Sequence, residues 1–273
     1  MRKKHVSIAI LYVLAAIAVV VINVPLVFII LTSFKPLAEI MQPTLKFSFM
    51  PTLENYRMLF SETFYFGRYI SNSVLVALLS TVIAIAVSLP AAYGISRFGE
   101  MKKGVAFWIL SIRMVPPVVF ALPLFLLLRL IGLIDNIWGL TTVYLTSTVP
   151  LSVWILTTFM SEIPQSVEEA AMLDGASRGR ILLSVMLPLM GPGLVSVFIL
   201  NFIFAWNEFF FALLMTQDRA VTFTVGMARF ITGYSIYWGA IAAAATISIA
   251  PMLIMTVFIQ RYLVRGLTFG AVK

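Results

Sequence analysis

Six apolar runs, each long enough to cross a lipid bilayer, leave few folds open to this chain. They are Val6–Leu31, Asn72–Tyr93, Val105–Leu130, Leu140–Met160, Gly193–Met215 and Trp238–Tyr262. Crossing the hydrocarbon takes about 20 helical residues at about 1.5 Å each. Inside lipid every backbone amide and carbonyl needs an internal partner, so only helices and closed barrels span. A barrel strand shows about ten residues of alternating polarity, whereas these runs are continuous. The sequence therefore predicts an all-α integral membrane protein, a single transmembrane domain over 1–273 with six transmembrane helices. The first run follows Arg2, Lys3 and Lys4. It exceeds the apolar core of about 7–15 residues in a cleaved signal peptide, so it reads as a retained anchor.

Composition removes several functional classes. Charged residues make up 11% of the chain, against about 25% in soluble domains. Cysteine is absent and His5 is the single histidine. Disulfides, thiolate metal sites and a histidine base within the bundle are thereby excluded. The net charge of +8 would suggest nucleic acid in a soluble protein. Here the basic residues lie at the ends of apolar runs, where topology accounts for them.

Six spans place both termini on one side. With them lie Arg2, Lys3, Lys4, Arg97, Lys102, Lys103, Arg178, Arg180, Arg261, Arg265 and Lys273. Opposite lie Lys35, Lys46, Arg57, Arg68, Arg129, Arg219 and Arg229. The excess of Lys and Arg marks the cytoplasmic side. This predicts a multi-pass membrane protein with both termini cytoplasmic. Segments 33–71, 131–139 and 216–237 then face outward, and 96–104 and 161–192 face the cytoplasm.

The 161–192 segment, between spans 4 and 5, is polar and charged and must meet something outside the bilayer. Its pattern predicts a helical hairpin. Ser166 and Glu169 have the spacing of a capping box, and Glu168 and Glu169 suit the positive end of a helix. Asp174-Gly175 predicts a stop, because glycine tolerates the left-handed conformation. A second helix is expected from Ser177 towards Leu187, broken by Pro188, Gly191 and Pro192.

Glu169-Ala170-Ala171, Asp174-Gly175-Ala176, and Val185 with Leu187-Pro188 resemble the EAA loop of permease subunits from binding-protein-dependent ABC importers. The family pattern is EAA, three residues, Gly, nine residues, then Ile-x-Leu-Pro; the one departure is Val185 for Ile. "SFKPLAEI", "TLENY", "FAWNEFFFAL" and "GLTFGAVK" look like the maltose-type carbohydrate permease subfamily. The resemblance implies that 161–192 is a coupling loop seated in a cytoplasmic ATPase dimer. Glu169, Ala170, Ala171, Asp174, Gly175, Ala176, Leu187 and Pro188 would form that contact. It also implies a bacterial inner membrane, a second homologous permease subunit in a heterodimer, an external solute-binding protein, a carbohydrate substrate, and no cofactor in this chain, with ATP and Mg on the ATPase. Gly99 and Gly104 have P-loop spacing, but Val105 stands where lysine is required.

Polar groups at membrane depth are the candidates for a translocation path. Asn201 and Glu208 share a helical face, with Trp206 and Asn207 beside them. Two readings stay open: a sugar-lining face, or helix glue from the asparagines with Trp206 anchored at the outer interface. Arg113 lies close to Pro116, Pro117 and Pro123, which should kink or break its helix. It either lines a cavity or reaches back to the inner headgroups. The rival from another class is an ion-gradient-driven secondary transporter, which needs ionisable groups at mid-membrane. Glu208 is the one serious acidic candidate. No second acid, histidine or thiol stands near it, so the chain is expected to be non-catalytic.

Overall fold

A computed structural model describes the backbone of residues 2–42, 48–98 and 102–269, and the side chains of 11–42, 48–98 and 104–257. Expectations for Arg2, Lys3, Lys4, His5, Lys46, Lys102, Lys103, Arg261, Arg265 and the C-terminal tail lie outside those side chains. The described residues are helical, with one isolated bridge between Ile231 and Ile236. The helices are α1 (Arg2–Ser33), α2 (Leu37–Ile40), α3 (Glu54–Leu59), α4 (Phe66–Phe98), α5 (Lys102–Ser111), α6 (Pro117–Leu130) and α7 (Ile137–Glu162). After these come α8 (Gln165–Leu173), α9 (Arg178–Arg180), α10 (Leu187–Leu189), α11 (Gly191–Asn207), α12 (Phe210–Met215), α13 (Phe223–Ala228) and α14 (Trp238–Phe269).

Within α1, α4, α7 and α14, four stretches are each long and apolar enough to cross a bilayer. Two bent pairs also qualify: Gly104–Met114 with Pro117–Leu130, bent by 85°, and Arg178–Leu189 with Gly191–Asn207, bent by 79°. The third run is therefore broken, as the prolines beside Arg113 predict. Its cause is local. A residue before proline is driven out of the α region; Val115 and Pro116 accordingly take ψ of 128° and 133°, and Pro117 restarts the helix in its first turn. The fifth run is broken as well, at Glu208 and Phe209, between α11 and α12.

The chain divides into two compact units. The first comprises Met1–Gly67 and Met227–Ala250. Here the apolar surface of α1 is left outward, as a helix facing lipid requires. The Asn55 amide donates to the carbonyls of Ser33 (2.9 Å) and Lys35 (2.8 Å), joining "TLENY" to "SFKPLAEI". A side chain on Gly239 would overlap Asn55 Oδ1 at 2.1 Å, so only glycine fits there.

The second unit comprises Arg68–Gly226 and Pro251–Lys273. Its packing rests on small residues. Ser73, Ala77, Ser80, Ala84, Ser88, Ala92 and Ser96 recur every three or four positions along α4 and are all buried. Lipid supplies no hydrophobic drive between helices, so close backbone approach over small side chains does the work. α7 lies centrally, with Leu140, Val143, Tyr144, Val153, Leu156 and Met160 buried.

Candidate functional site

The 161–192 segment is built as a stiff mount carrying an exposed turn. α8 starts at Gln165 with Pro164 as its cap and no side-chain cap bond. The capping box expected from Ser166 and Glu169 is therefore absent. Proline fixes its own φ and moves the helix start to the residue after it. The far end matches the sequence reading. Gly175 has φ +79°. Its amide donates to Met172 O (3.0 Å) and that of Ala176 to Ala171 O (3.0 Å). This is a Schellman stop, which needs a left-handed residue at that position.

The second arm is less regular than expected. Ser177 caps α9, accepting from the Arg180 amide at 3.5 Å. A π-helical stretch, Ile181–Met186, follows, then α10. Ile181 and Met186 are fully buried, in a core with Leu89, Ala92, Leu156, Met160, Met190 and Val197.

This core sorts the predicted coupling residues into two sets. Ala171, Ala176 and Leu187 pack against it. Glu169, Ala170, Asp174, Gly175 and Pro188 are exposed. Of the four small residues, Ala170 and Gly175 are open, while Ala171 and Ala176 are half-buried against the mount. Between them Met172 is half-exposed and Leu173 is 90% exposed. That apolar tip was not singled out from sequence, although its place just before Asp174-Gly175 on a turn was the available signal.

The residue that fixes the mount was also missed. Glu168, next to the predicted Glu169, is 5% exposed. Its Oε2 accepts from the Tyr93 hydroxyl at 2.9 Å, and its Oε1 pairs with Arg97 Nε. Arg97 Nη2 also donates to Ile163 O at 3.0 Å. Arg178 stacks over the Phe98 ring at 4.3 Å. The last turns of α4 thus grip α8 and the end of α7 together.

The candidate path residues differ in burial and partners. Asn201 is fully buried and donates to Ser152 Oγ at 2.7 Å, joining α11 to α7. Trp206 is also buried, stacked on Phe202 and tilted against Phe223. Asn207 is exposed and donates to Ile203 O at 2.8 Å. Glu208 sits beside Tyr144 and accepts from the amides of Phe211 (2.8 Å) and Ala212 (3.0 Å). It thereby caps the restarted helix α12, satisfying amides that the break would orphan in lipid. Arg113 lies at the 85° bend, 5.0 Å from the Phe204 ring centroid, beside a cavity of about 460 Å³ lined by Pro117, Phe120, Thr146 and Phe211.

A second missed site lies elsewhere in this unit. Asp135, at φ +55°, accepts from the backbone amides of Gln217, Asp218, Arg219 and Ala220 at 2.9–3.1 Å. Partial burial pushes its carboxyl up, but the four amides outweigh this and hold it below the usual carboxylate range. The same loop is held from the start of α4. Asn72 Nδ2 donates to the carbonyls of Arg219 and Val221, each at 2.9 Å.

With this geometry in hand, comparison with known proteins is informative. Residues 84–269 match the family described as binding-protein-dependent transport system inner membrane component. The Trehalose/maltose transport system permease protein MalG of Thermococcus litoralis is 37% identical over 100% of this chain and 99% of its own length. The Trehalose transport system permease protein SugB of Mycobacterium tuberculosis is 38% identical over 91% and 92%. In fold, the chain is similar to one in a crystal structure of a bacterial ABC transporter that imports alginate. The TM-score is 0.79 at 21% identity, covering 96% of this chain and 98% of that one.

Proposed function

We propose that this chain, which belongs to the family of binding-protein-dependent transport system inner membrane components, is the permease subunit of an ATP-driven carbohydrate importer. Its six spans would be α1, α4, α5 with α6, α7, α11 with α12, and α14. Both termini and the 161–192 segment would face the cytoplasm. The observation that carries the reading is the exposed turn at Glu169–Gly175 on its buried mount, bearing the residues of the EAA pattern. A water-facing apolar tip at Leu173, flanked by Glu169 and Asp174, suits a partner cleft with basic groups at its rim. That partner is a cytoplasmic ATPase pair carrying ATP and Mg.

The internal ties of the second unit support opposite faces for the 161–192 segment and the 217–221 loop. One end of α4 grips the 161–192 segment through Arg97 and Glu168. The other end, and Asp135, grip the 217–221 loop. Those two regions are the ones that the excess of Lys and Arg assigns to opposite faces. One copy offers one such turn to an ATPase pair, so a second, homologous permease chain completes the pathway. A solute-binding protein delivers the sugar from outside; the relatives named for trehalose and maltose place carbohydrates first among substrates. Transport is by alternating access, and the chain forms no covalent intermediate.

The reading is tested in the assembled complex by Glu169→Lys and Gly175→Asp. Both should release the ATPase during purification while the two permease chains stay together. Retention of the ATPase by both variants contradicts the proposed contact. Uptake from a panel of labelled disaccharides and polyols should stop in cells depleted of ATP but holding a proton gradient. Uptake that persists there favours an ion-driven transporter.

A further inference from the structure

A buried ion pair lies just off the exposed turn. Glu168 uses both carboxylate oxygens, one on Tyr93 and one on Arg97, and the Arg97–Glu168 side chains are only 6% and 7% exposed. Arg97 spends a further donor on Ile163 O, the cap of α7. A buried ion pair adds little net stability over apolar packing of the same volume. What it supplies is geometry: a planar guanidinium donating to two different partners holds both in one orientation, where a point charge would let them turn. Both groups lie on regular helices, so the grip transmits direction as well as position.

The helix that carries Tyr93 and Arg97 is continuous from Phe66 to Phe98, 33 residues, or about 50 Å at the usual helical rise. Its other end is also anchored by side chains. Asn72 donates to Arg219 O and Val221 O, and Ser73 Oγ accepts from the Phe223 amide at 2.8 Å. Between those ends its buried stripe is mostly Ser and Ala, with Leu89 and Tyr93 in the core against Ile181 and Met186, and Ser88 Oγ donating to Val149 O at 3.3 Å. A helix gripped at both ends and packed mostly over small side chains between them is suited to tilt as one body.

Building on the functional reading above, we infer that α4 is the driven element. Glu168, held by Arg97 and Tyr93, is the positioning residue through which movement of the 161–192 segment reaches the 217–221 loop on the far side. Glu169 and its neighbours meet the ATPase; Glu168 hands the motion on.

The native chain has no cysteine, which permits a direct test in the complete complex. An Asp218→Cys reporter is labelled with a membrane-impermeant maleimide, without nucleotide and with ATP, Mg and vanadate. In the parent the labelling rate should differ by about fivefold or more between the two states. In Glu168→Gln and in Arg97→Lys, with the ATPase still co-purifying, the two rates should agree within about twofold. The exchanged pair Arg97→Glu with Glu168→Arg should recover part of the difference. Arg97→Lys keeps the charge and so tests the grip even if Glu168→Gln folds poorly. A nucleotide-dependent change that survives in Arg97→Lys or Glu168→Gln overturns the inference and leaves the functional reading standing. Absence of the ATPase, or of any nucleotide effect, in the parent overturns both.

Discussion

Two carboxylates hold the second unit, and they are held in opposite ways. Glu168 is paired with a guanidinium and a phenol, each on a side chain 71 or more residues away in sequence. Asp135 is ringed by backbone amides of one loop. A side-chain pair depends on two residue identities, and either can be lost by one substitution. A backbone nest depends on the acceptor alone and accepts any sequence in the loop that keeps its shape. The first arrangement suits a joint whose parts must keep one orientation while they move. The second suits a latch that fixes a loop in place.

The largest effect should come from breaking the pair. Glu168→Ala strands a buried guanidinium and should cost about 3–5 kcal/mol. It should appear as a lower thermal midpoint of the detergent-solubilised complex. A cost below that of the Asp135 variant would show that solvent reaches the pair. Next comes Asp135→Asn. Asparagine tolerates the positive φ, so the change isolates charge and acceptor capacity. Loss of charge-assisted bonds should cost about 2 kcal/mol, with faster hydrogen exchange at the amides of 217–220.

Smaller again is Gly175→Ala. The added methyl meets nothing within 4 Å, so only the left-handed backbone resists, by about 1–2 kcal/mol. Thermal unfolding should register that modest loss while the turn persists. The smallest effect is that of pH on the latch. The Asp135 pKa is depressed on folding, so its contribution is complete above the unfolded value of about 3.9 and fades as pH falls through the lower folded value. The stability gap between the parent and Asp135→Asn should therefore stay flat from about pH 8 to about pH 5. A gap that shrinks near neutrality contradicts the nest.

Local features were legible from sequence and distant pairings were not. Asp174-Gly175 announced the stop of α8, and Pro116-Pro117 the break between α5 and α6. Each acts through its own backbone, so the signal is local. The capping box failed because Pro164, two residues upstream of Ser166, starts the helix first. The break at Glu208 carries no glycine or proline; the carboxylate supplies the cap itself, which residue type alone does not reveal. The inward turn of Ala171 and Ala176 follows from burial of Ile181 and Met186 beneath them, a tertiary fact. Arg97 and Glu168 lie on different helices, and nothing in either local pattern names the other.

The central claim is that the exposed turn on this mount is where an ATPase bears. Leu173→Cys, in the otherwise cysteine-free chain of the assembled complex, should crosslink to an ATP-binding protein identified by mass spectrometry. Asp218→Cys, beside the Asp135 latch, should not. An ATP-binding protein captured equally from both positions, or from neither, contradicts the account.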